Sequence, residues 1–510
     1  MPITVKEMRI LEVNCQALGI PTRMLMENAG ALVAKIIVDR IGVKREAVIF
    51  AGKGGNAGDG FVTARHLASY GFKVFVYLFY SVHNIRNEDT LANLEILKSM
   101  SDTVKIFEQG TFPYAPVRAD VIVDALLGTG IKPPLREPIK SAIEMFNRSS
   151  GFKVAIDAPT GLNPDTGEVV EECVKADLTV TFHDVKYGLL RAKQYVGELV
   201  IVKIGIPPEA SSYVGPGDVI FEVPAKPKDA HKGVGGRVLV IGGSEHYTGA
   251  PALSAMAALK AGADLVFIAA PESAAPIISS YSPNLIVRKV PGKNLNVEGL
   301  NTIEELISRV NAVVLGPGIG LFEETKEAVK ELIPLIVKLD KPVVIDADAL
   351  KIIAEQPNAD FKGKAILTPH AKEASILLGK ECGMDSLYNR SKAARELSIK
   401  YNAVILLKGP TDIIAFRNMV KFNRTGNQGM SVGGTGDTLT GIIATLLARK
   451  VEPFKAAYIG AFINGLAGDL AYRELGERLT ATDVLDNIPL AFKKPLESYI
   501  ETRRVLHKFF

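Results

Sequence analysis

Cysteine is scarce. The 510-residue chain has three, Cys15, Cys173 and Cys382, far apart and with no C-x-x-C pair. That usage argues against a zinc site or a disulfide framework and fits a reducing, cytoplasmic compartment. No apolar run reaches the ~18 residues of a membrane-spanning helix, so no membrane role is expected. The opening residues, MPITVKEMRILEVNC, lack a basic segment followed by a long apolar run, so no signal peptide is read. Charge excess is also small. Sixty basic and 56 acidic side chains leave a formal +4, too little to argue for a nucleic acid or a membrane surface. No internal repeat or low-complexity tract is visible. What remains is 47% hydrophobic and 23% charged residues, ordinary for a globular protein, in a chain long enough for two domains.

Short β-branched runs alternate with helix-like stretches along the whole chain. AVIFAG at 47–52, KVFVYLF at 73–79, ADVIVDALLG at 119–128 and KVAIDAPTG at 153–161 each end on Gly, Pro or a small polar residue. The pattern restarts at RVLVIGGS 237–244 and continues through DLVFIAAP 264–271, AVVLGPGIG 312–320, PVVIDADAL 342–350, KAILTPHAKE 364–373 and AVILLKGPTD 403–412. Such runs read as buried parallel strands feeding loops at their carboxyl ends, so both halves are expected to be α/β. Two segments rich in Pro, Gly and Lys, 203–218 and 223–236, place a linker near 210–230, between domains at 1–212 and 220–500.

In the first half, GKGGNAGDG at 52–60 joins a strand to the helix-like FVTARHLASYG. Glycines there permit close backbone approach, and amides at a helix start can hold a phosphate. The spacing is not the dinucleotide fingerprint G-x-G-x-x-G. DALLGTGIKPPLREP at 124–138 and IDAPTGLNPDTG at 156–167 are two more strand-end loops. Ligands of open α/β sheets sit at those ends. Asn56, Asp124 and Thr160 can gather oxygen atoms for a hard or monovalent cation, while the other reading of Asp124 and Asp157 is a helix cap or turn pin.

In the second half, GNQGMSVGGTGDTLTGIIATLLARK at 426–450 packs glycines before a long apolar helix with Asp437 at its start. Helix-start amides stabilise charge on a transferring phosphate, and Asp437 can accept a substrate hydroxyl's proton; its other reading is an N-cap. LKGPTD at 407–412 offers Lys408 beside a Gly-Pro turn, suited to a nucleotide phosphate. His370 lies in the TPHAKE loop, where a ligand contact or a structural role are both open, and Glu373 there could position magnesium through water or be a plain first-turn carboxylate.

Taken together, the first-half segments (GKGGNAGDG, DALLGTG, IDAPTGL) resemble the YjeF N-terminal domain of NAD(P)HX epimerases, from about residue 8 to about 205. The ordered set HKGVGGRVLVIGGS, GPGIG, DADAL, TPHAKE, LKG and GGTGD resembles the ADP/ATP-dependent NAD(P)HX dehydratases of the ribokinase-like superfamily, from about 225 to 495. The resemblance implies a Rossmann-like first domain and a ribokinase-like second domain. In the first it implies K+ held by Asn56, Asp124 and Thr160. The hydrated dinucleotide would be bound by Gly55, Asn56, Ala57, Gly58 and Asp59 with Gly128, Thr129 and Gly130. Asp157 would be the acid–base residue and Lys132 its support. The family usually shows two adjacent asparagines where this chain has Gly55 and Asn56. In the second domain it implies Asp437 as the catalytic aspartate, with Ala252, Gly318, His370 and Asp437 against the hydrated cofactor. Lys408, Gly409, Pro410, Thr411 and Asp412, then Asn427, Gly429, Met430, Gly433, Gly434, Thr435 and Gly436, would hold the nucleotide.

The implied partners are NADHX and NADPHX, ADP or ATP with Mg2+, and a second copy of the chain in a homo-oligomer. The chemistry suits the residues. The damaged cofactor carries a hydroxyl at C6, and hydroxide leaves poorly at neutral pH. Phosphoryl transfer to that oxygen gives a leaving group that the ring nitrogen can expel. Water adds to either ring face, so a fused epimerase rescues the epimer a selective dehydratase rejects. The alternative expectation is a small-molecule kinase of the same superfamily joined to a non-catalytic binding module.

Overall fold

Valine, isoleucine and alanine fill the centre of each strand because both faces of the sheet are covered. The computed structural model describes residues 2–506 apart from 131–133, 170, 230, 357–358, 382 and 384, so Lys132 and Cys382 lie outside the described residues. It divides the chain into two compact units, Met1–Pro208 and Glu209–Phe510.

Unit 1 carries β1 (Glu46–Ala51), β2 (Lys73–Leu78), β3 (Val104–Phe107), β4 (Arg118–Ala125), β5 (Ser150–Ile156), β6 (Leu178–Phe182) and β7 (Glu198–Val202). They form one sheet in the order β3-β2-β1-β4-β5-β6-β7, and every neighbouring pair is parallel. The chain first winds outward from β1 to β3, then returns to β4 on the other side of β1. That reversal opens a crevice at the carboxyl ends of β1 and β4. Helix α1 (Val5–Ala17) starts with a reciprocal cap between Thr4 and Glu7, and α2 (Thr22–Ile41) packs along α3 (Gly55–Ser69).

The crevice requires glycine at position 52. A Cβ there would lie 2.0 Å from the carbonyl oxygen of Leu126, whereas one at Gly54 would meet nothing within 4 Å. Gly52→Ala is therefore expected to cost about 1–3 kcal/mol, and Gly54→Ala much less. Thermal unfolding of the two variants checks this; equal midpoints would show that the β1 and β4 loops do not touch as described.

Unit 2 carries β8 (Arg237–Ile241), β9 (Leu265–Pro271), β10 (Ile286–Val290), β11 (Ala312–Leu315), β12 (Val343–Ile345), β13 (Ala365–Leu367), β14 (Val404–Leu407), β15 (Asp412–Phe416) and β16 (Met419–Asn423). Their order is β10-β9-β8-β11-β12-β13-β14-β15-β16. The sheet is parallel through β14, and β15 and β16 close its edge as an antiparallel pair. Again the order reverses, here between β8 and β11. The core below β8, β11 and β12 is built from residues such as Leu239, Val313, Ile345 and Leu332.

The expected α/β class and mostly parallel sheets are present, with six strands among the described residues beyond the ten read from sequence. The linker expected near 210–230 is a correction. Pro216–Glu222 is a helix, and Val214 N donates to Phe422 O at 2.8 Å. Asp218 is ion-paired to Lys421, and Glu222 Oε1 lies 2.8 Å from Lys455 Nζ. Proline at a first helical position looks like a breaker in sequence but is pre-shaped for a helix start. Among the described residues no helix is long and apolar enough to cross a membrane.

Candidate functional sites

The crevice of unit 1 opens into a cavity of about 430 Å³. Its walls are α1 and α2 on one side and the loops after β1, β4 and β5 on the other, including Gly55, Asn56, Asp59, Thr129, Gly130 and Asp157. Ala57 and Gly58 are turned into the packing of α3 instead; a Cβ on Gly58 would meet Met26 Cε at 2.6 Å.

Asp157 ends β5 at φ 65°, a left-handed conformation that Asp tolerates better than most residues. Its Oδ1 accepts from Lys186 Nζ at 2.7 Å, and the lysine is fully buried. Lys186 also donates to Thr181 Oγ1 at 3.0 Å and Phe182 O at 3.1 Å, so its ammonium is fixed in place. Two further carboxylates line the same cavity. Burial, then the charge of Asp157, pushes Glu12 up to about 7. Burial, then Asp157 and Glu12, holds Asp59 well above the usual carboxylate range.

Of the three residues read as cation ligands, Asp124 and Thr160 are bonded to each other, and Asn56, which lines the cavity, reaches the end of β5 and the loop after β4. Asp124 Oδ2 accepts from Thr160 N and Oδ1 from Thr160 Oγ1, both at 2.8 Å, and Oδ1 also from Leu126 N at 3.1 Å. With its amide oriented so that donors meet acceptors, Asn56 donates to Ile156 O at 3.2 Å and accepts from Gly128 N at 3.1 Å. Asp124 is buried, its bonds come from neutral donors, and burial pushes it up to about 6. A buried carboxylate among oxygen atoms, bonded to neutral donors, fits a monovalent cation.

In unit 2 a cavity of about 990 Å³ is lined by His370, Lys408, Gly409, Pro410, Asp412, Asn427, Met430, Thr435 and Gly436. The helix Thr435–Ala448 enters through Gly434 at φ 97°, which leaves its first amides uncapped by side chains. Asp437 is in that first turn. Lys408 Nζ, at the end of β14, lies 2.8 Å from Asp346 Oδ1, at the end of β12. A Cβ on Gly436 would come 3.5 Å from Asp346 Oδ2 and 3.7 Å from Lys408 Nζ, so this pair stands against the helix start. Enclosure, then the Asp346 charge, pushes Asp437 up to about 7, against a smaller opposing pull from Lys408. Burial draws Lys408 down, but Asp346, Glu373 and Asp437 hold it above its ordinary value.

Hydrogen bonds within the expected nucleotide set hold the cavity wall in shape. Asn427 accepts from Gly429 N at 3.0 Å and donates to Asp469 Oδ1 at 2.9 Å. Asp412 accepts from Gly409 N and from Asn423 Nδ2, both at 3.0 Å. Thr411, Gly429, Gly433 and Gly434 flank the lining residues. His370 caps the helix Ala371–Leu378, its Nδ1 accepting from Glu373 N at 3.2 Å while Glu373 Oε2 accepts from His370 N at 2.8 Å. Glu373 is thereby committed to the cap. Ala252 is buried in the helix Gly249–Lys260, and Gly318, at φ 68°, lies against Tyr247; neither lines this cavity. They belong to the β8/β11 crevice, where Gly243 N donates to Pro317 O at 2.9 Å.

Residues 238–490 match the family model of NAD(P)H-hydrate dehydratase, and residues 22–188 match that of the YjeF-related protein N-terminus. A bifunctional NAD(P)H-hydrate repair enzyme of Hyperthermus butylicus is 46% identical over 500 residues, covering 97% of this chain and 93% of the relative. Another, of Methanothermobacter thermautotrophicus, is 43% identical and covers 95% and 94%. The chain belongs to the bifunctional NAD(P)H-hydrate repair enzymes. A solved ADP/ATP-dependent NAD(P)H-hydrate dehydratase of Bacillus subtilis, crystallised with ATP and Mg2+, is 27% identical with a TM-score of 0.45, covering 54% of this chain and 95% of its own.

Four residues of this repair-family chain were not visible to sequence reasoning. Lys186 sits in HDVKYGLL, Glu12 in an ordinary amphipathic helix, and Asp346 in the DADAL strand-end loop, where no single residue was picked out. Asp469 lies inside the long apolar helix Pro453–Leu475, where burial pushes it up to about 6 and it anchors Gly426 N at 3.1 Å. A lone acid in an apolar helix was the one available signal. Lys132 falls outside the described residues, and among those described no cluster of three His, Cys, Asp or Glu side chains is arranged to hold a metal ion.

Proposed function

We propose that this chain repairs hydrated NADH and NADPH. Unit 1 interconverts the two C6 epimers, and unit 2 dehydrates the S epimer with ADP, giving AMP and phosphate. The observation that carries the reading is Asp437 at a glycine-lined helix start beside the Lys408–Asp346 pair. Asp437 takes the proton of the C6 hydroxyl as that oxygen attacks the terminal phosphorus. The amides of Thr435 and Gly436 and the Lys408 ammonium face the charge that develops on the phosphoryl oxygens. AMP leaves, and the ring nitrogen then expels phosphate. Mg2+ would arrive on the nucleotide and neutralise part of its charge.

In unit 1 the Asp157 carboxylate, held by Lys186, moves a proton on the oxygen at C6. K+ would be held by Asn56, Asp124 and Thr160, offsetting the buried Asp124 charge and fixing the β4 and β5 loops. The buried free thiols Cys15 and Cys173 suit a reducing cytoplasm.

The test is to incubate the protein with both NADHX epimers, Mg2+, K+ and ADP, following NADH absorbance and the nucleotide products. Complete conversion, faster than spontaneous epimerisation allows, with AMP and free phosphate in equal amounts, is expected. A halt near one epimer's share would remove the epimerase. A stable phosphorylated product without NADH would make unit 2 a small-molecule kinase. Replacing K+ by Li+ is expected to slow epimerisation.

A further inference from the structure

Inversion at C6 moves a proton twice, and the reading above supplies one carboxylate. When the ring nitrogen expels the hydroxyl, that oxygen needs a proton; when water returns to the other face, a proton must be removed. A single group fixed at one edge of the cavity serves one face well.

Glu12 lines the same cavity from a different wall. It lies on α1 with Met8 and Arg9, four and three residues earlier on the same helical face, while Asp157 enters from the carboxyl edge of the sheet. The two carboxylates differ in their surroundings. Asp157 is ion-paired to the buried Lys186 at 2.7 Å. Glu12 is enclosed with Asp59 and Asp157 nearby, with Lys186 and Arg9 as the opposing charges and Cys15 one turn along its own helix. Two carboxyl groups that reach one cavity from different walls can serve as acid and base on opposite faces of a bound ring.

We propose that Glu12 is the second proton-transfer group of the epimerase, delivering from the α1 wall the proton that Asp157 removes at the sheet edge. The proposal rests on the epimerase reading of unit 1. The Glu12 carboxyl gives its proton to the C6 hydroxyl as the C–O bond breaks. The nitrogen lone pair forms a C=N+ bond and water leaves. A water on the other face adds to C6 and gives its proton to Asp157, which restores the neutral ring nitrogen. One water leaves, one enters, and one proton passes from Glu12 to Asp157; the reverse reaction returns it.

The active form therefore carries one proton on the pair. Burial holds Glu12 near 7, so the rate falls as pH rises through about 7 and Glu12 loses the proton it must deliver. The experiment uses the full chain without nucleotide and follows epimer exchange by chromatography above the spontaneous rate. In Glu12→Gln, kcat is expected to fall about 100-fold or more with KM within about threefold, and the decline near pH 7 to vanish. Glu12→Asp should recover part of the rate and keep a pH-dependent decline. A Glu12→Gln rate within about threefold of wild type, or a slow variant that keeps the decline near pH 7, overturns the proposal. If Glu12→Gln does not fold, Glu12→Asp decides, since full activity with no decline would overturn it. A wild-type chain that leaves the epimers unexchanged would instead overturn the epimerase reading itself.

Discussion

Asp437→Asn is expected to lower NADH formation from the S epimer by about 10²–10⁴-fold while leaving epimer exchange in unit 1 at its wild-type rate. Asparagine keeps the size and hydrogen-bonding reach of the side chain but cannot take up the hydroxyl proton. Wild-type dehydration should also rise with pH through about 7, where enclosure and the Asp346 charge hold Asp437, because the ionised form is the base. The variant should lose that rise. Stability separates this from damage to the fold. A carboxyl whose affinity for a proton is raised by folding contributes stability below its unfolded pKa and loses it as pH rises through its folded value. Wild type is therefore expected to lose some stability between about pH 4 and pH 7 at this position. Asp437→Asn should not, and at pH 8 it should melt no lower than wild type. A variant that forms NADH within about threefold of wild type would remove Asp437 from the chemistry.

The parts of both sites that follow from backbone demands were legible in the sequence. Gly52 stands where two chain segments touch and Gly434 where a helix is entered in a left-handed conformation, and such needs leave runs of glycine. Strand ends were legible because apolar runs stop abruptly there. The charged residues that complete each site were not. Lys186 and Asp346 become partners of Asp157 and Lys408 only through sheet order, which sets the ends of β5 and β6 side by side and those of β12 and β14 one strand apart, across β13. Glu12 faces the cavity only because α1 folds back over the carboxyl edge of the sheet. Edge elements escaped for a related reason. β7 and β16 are half exposed, so they lack the unbroken apolar run of a central strand.

Both units solve one problem in the same way. In the proposed mechanism the proton-carrying carboxylate of each unit is enclosed, and a lysine ion-paired to a carboxylate stands close by, at 2.7 Å in unit 1 and 2.8 Å in unit 2. The lysine offsets part of the negative charge gathered at the strand ends without neutralising the acid–base group itself. In unit 2 that group is Asp437, beside but not bonded to the pair. In unit 1 Asp157 is bonded directly, so its lysine has a heavier structural duty.

Lys186→Met tests that duty. The lysine is fully buried and holds Asp157 with three of its donors used within unit 1. Removing one partner of a buried pair leaves a charge without compensation, at a cost of about 3–5 kcal/mol. At roughly 2–4 °C per kcal/mol for a unit of this size, the unfolding transition of unit 1 should fall by about 6–20 °C. Epimer exchange should fall with it by about 10²-fold or more, because Asp157 loses the fixed ammonium that orients its carboxylate in the cavity. The double change Lys186→Met with Asp157→Asn distinguishes the two effects. Asparagine tolerates the φ of 65° at this position and brings no charge to bury. Much of the lost stability should therefore return while exchange stays absent. If the double variant melts as low as Lys186→Met alone, the lysine is held by its bonds to Thr181 and Phe182 rather than by the Asp157 charge. If Lys186→Met keeps wild-type exchange, Asp157 does not depend on the buried ammonium to act.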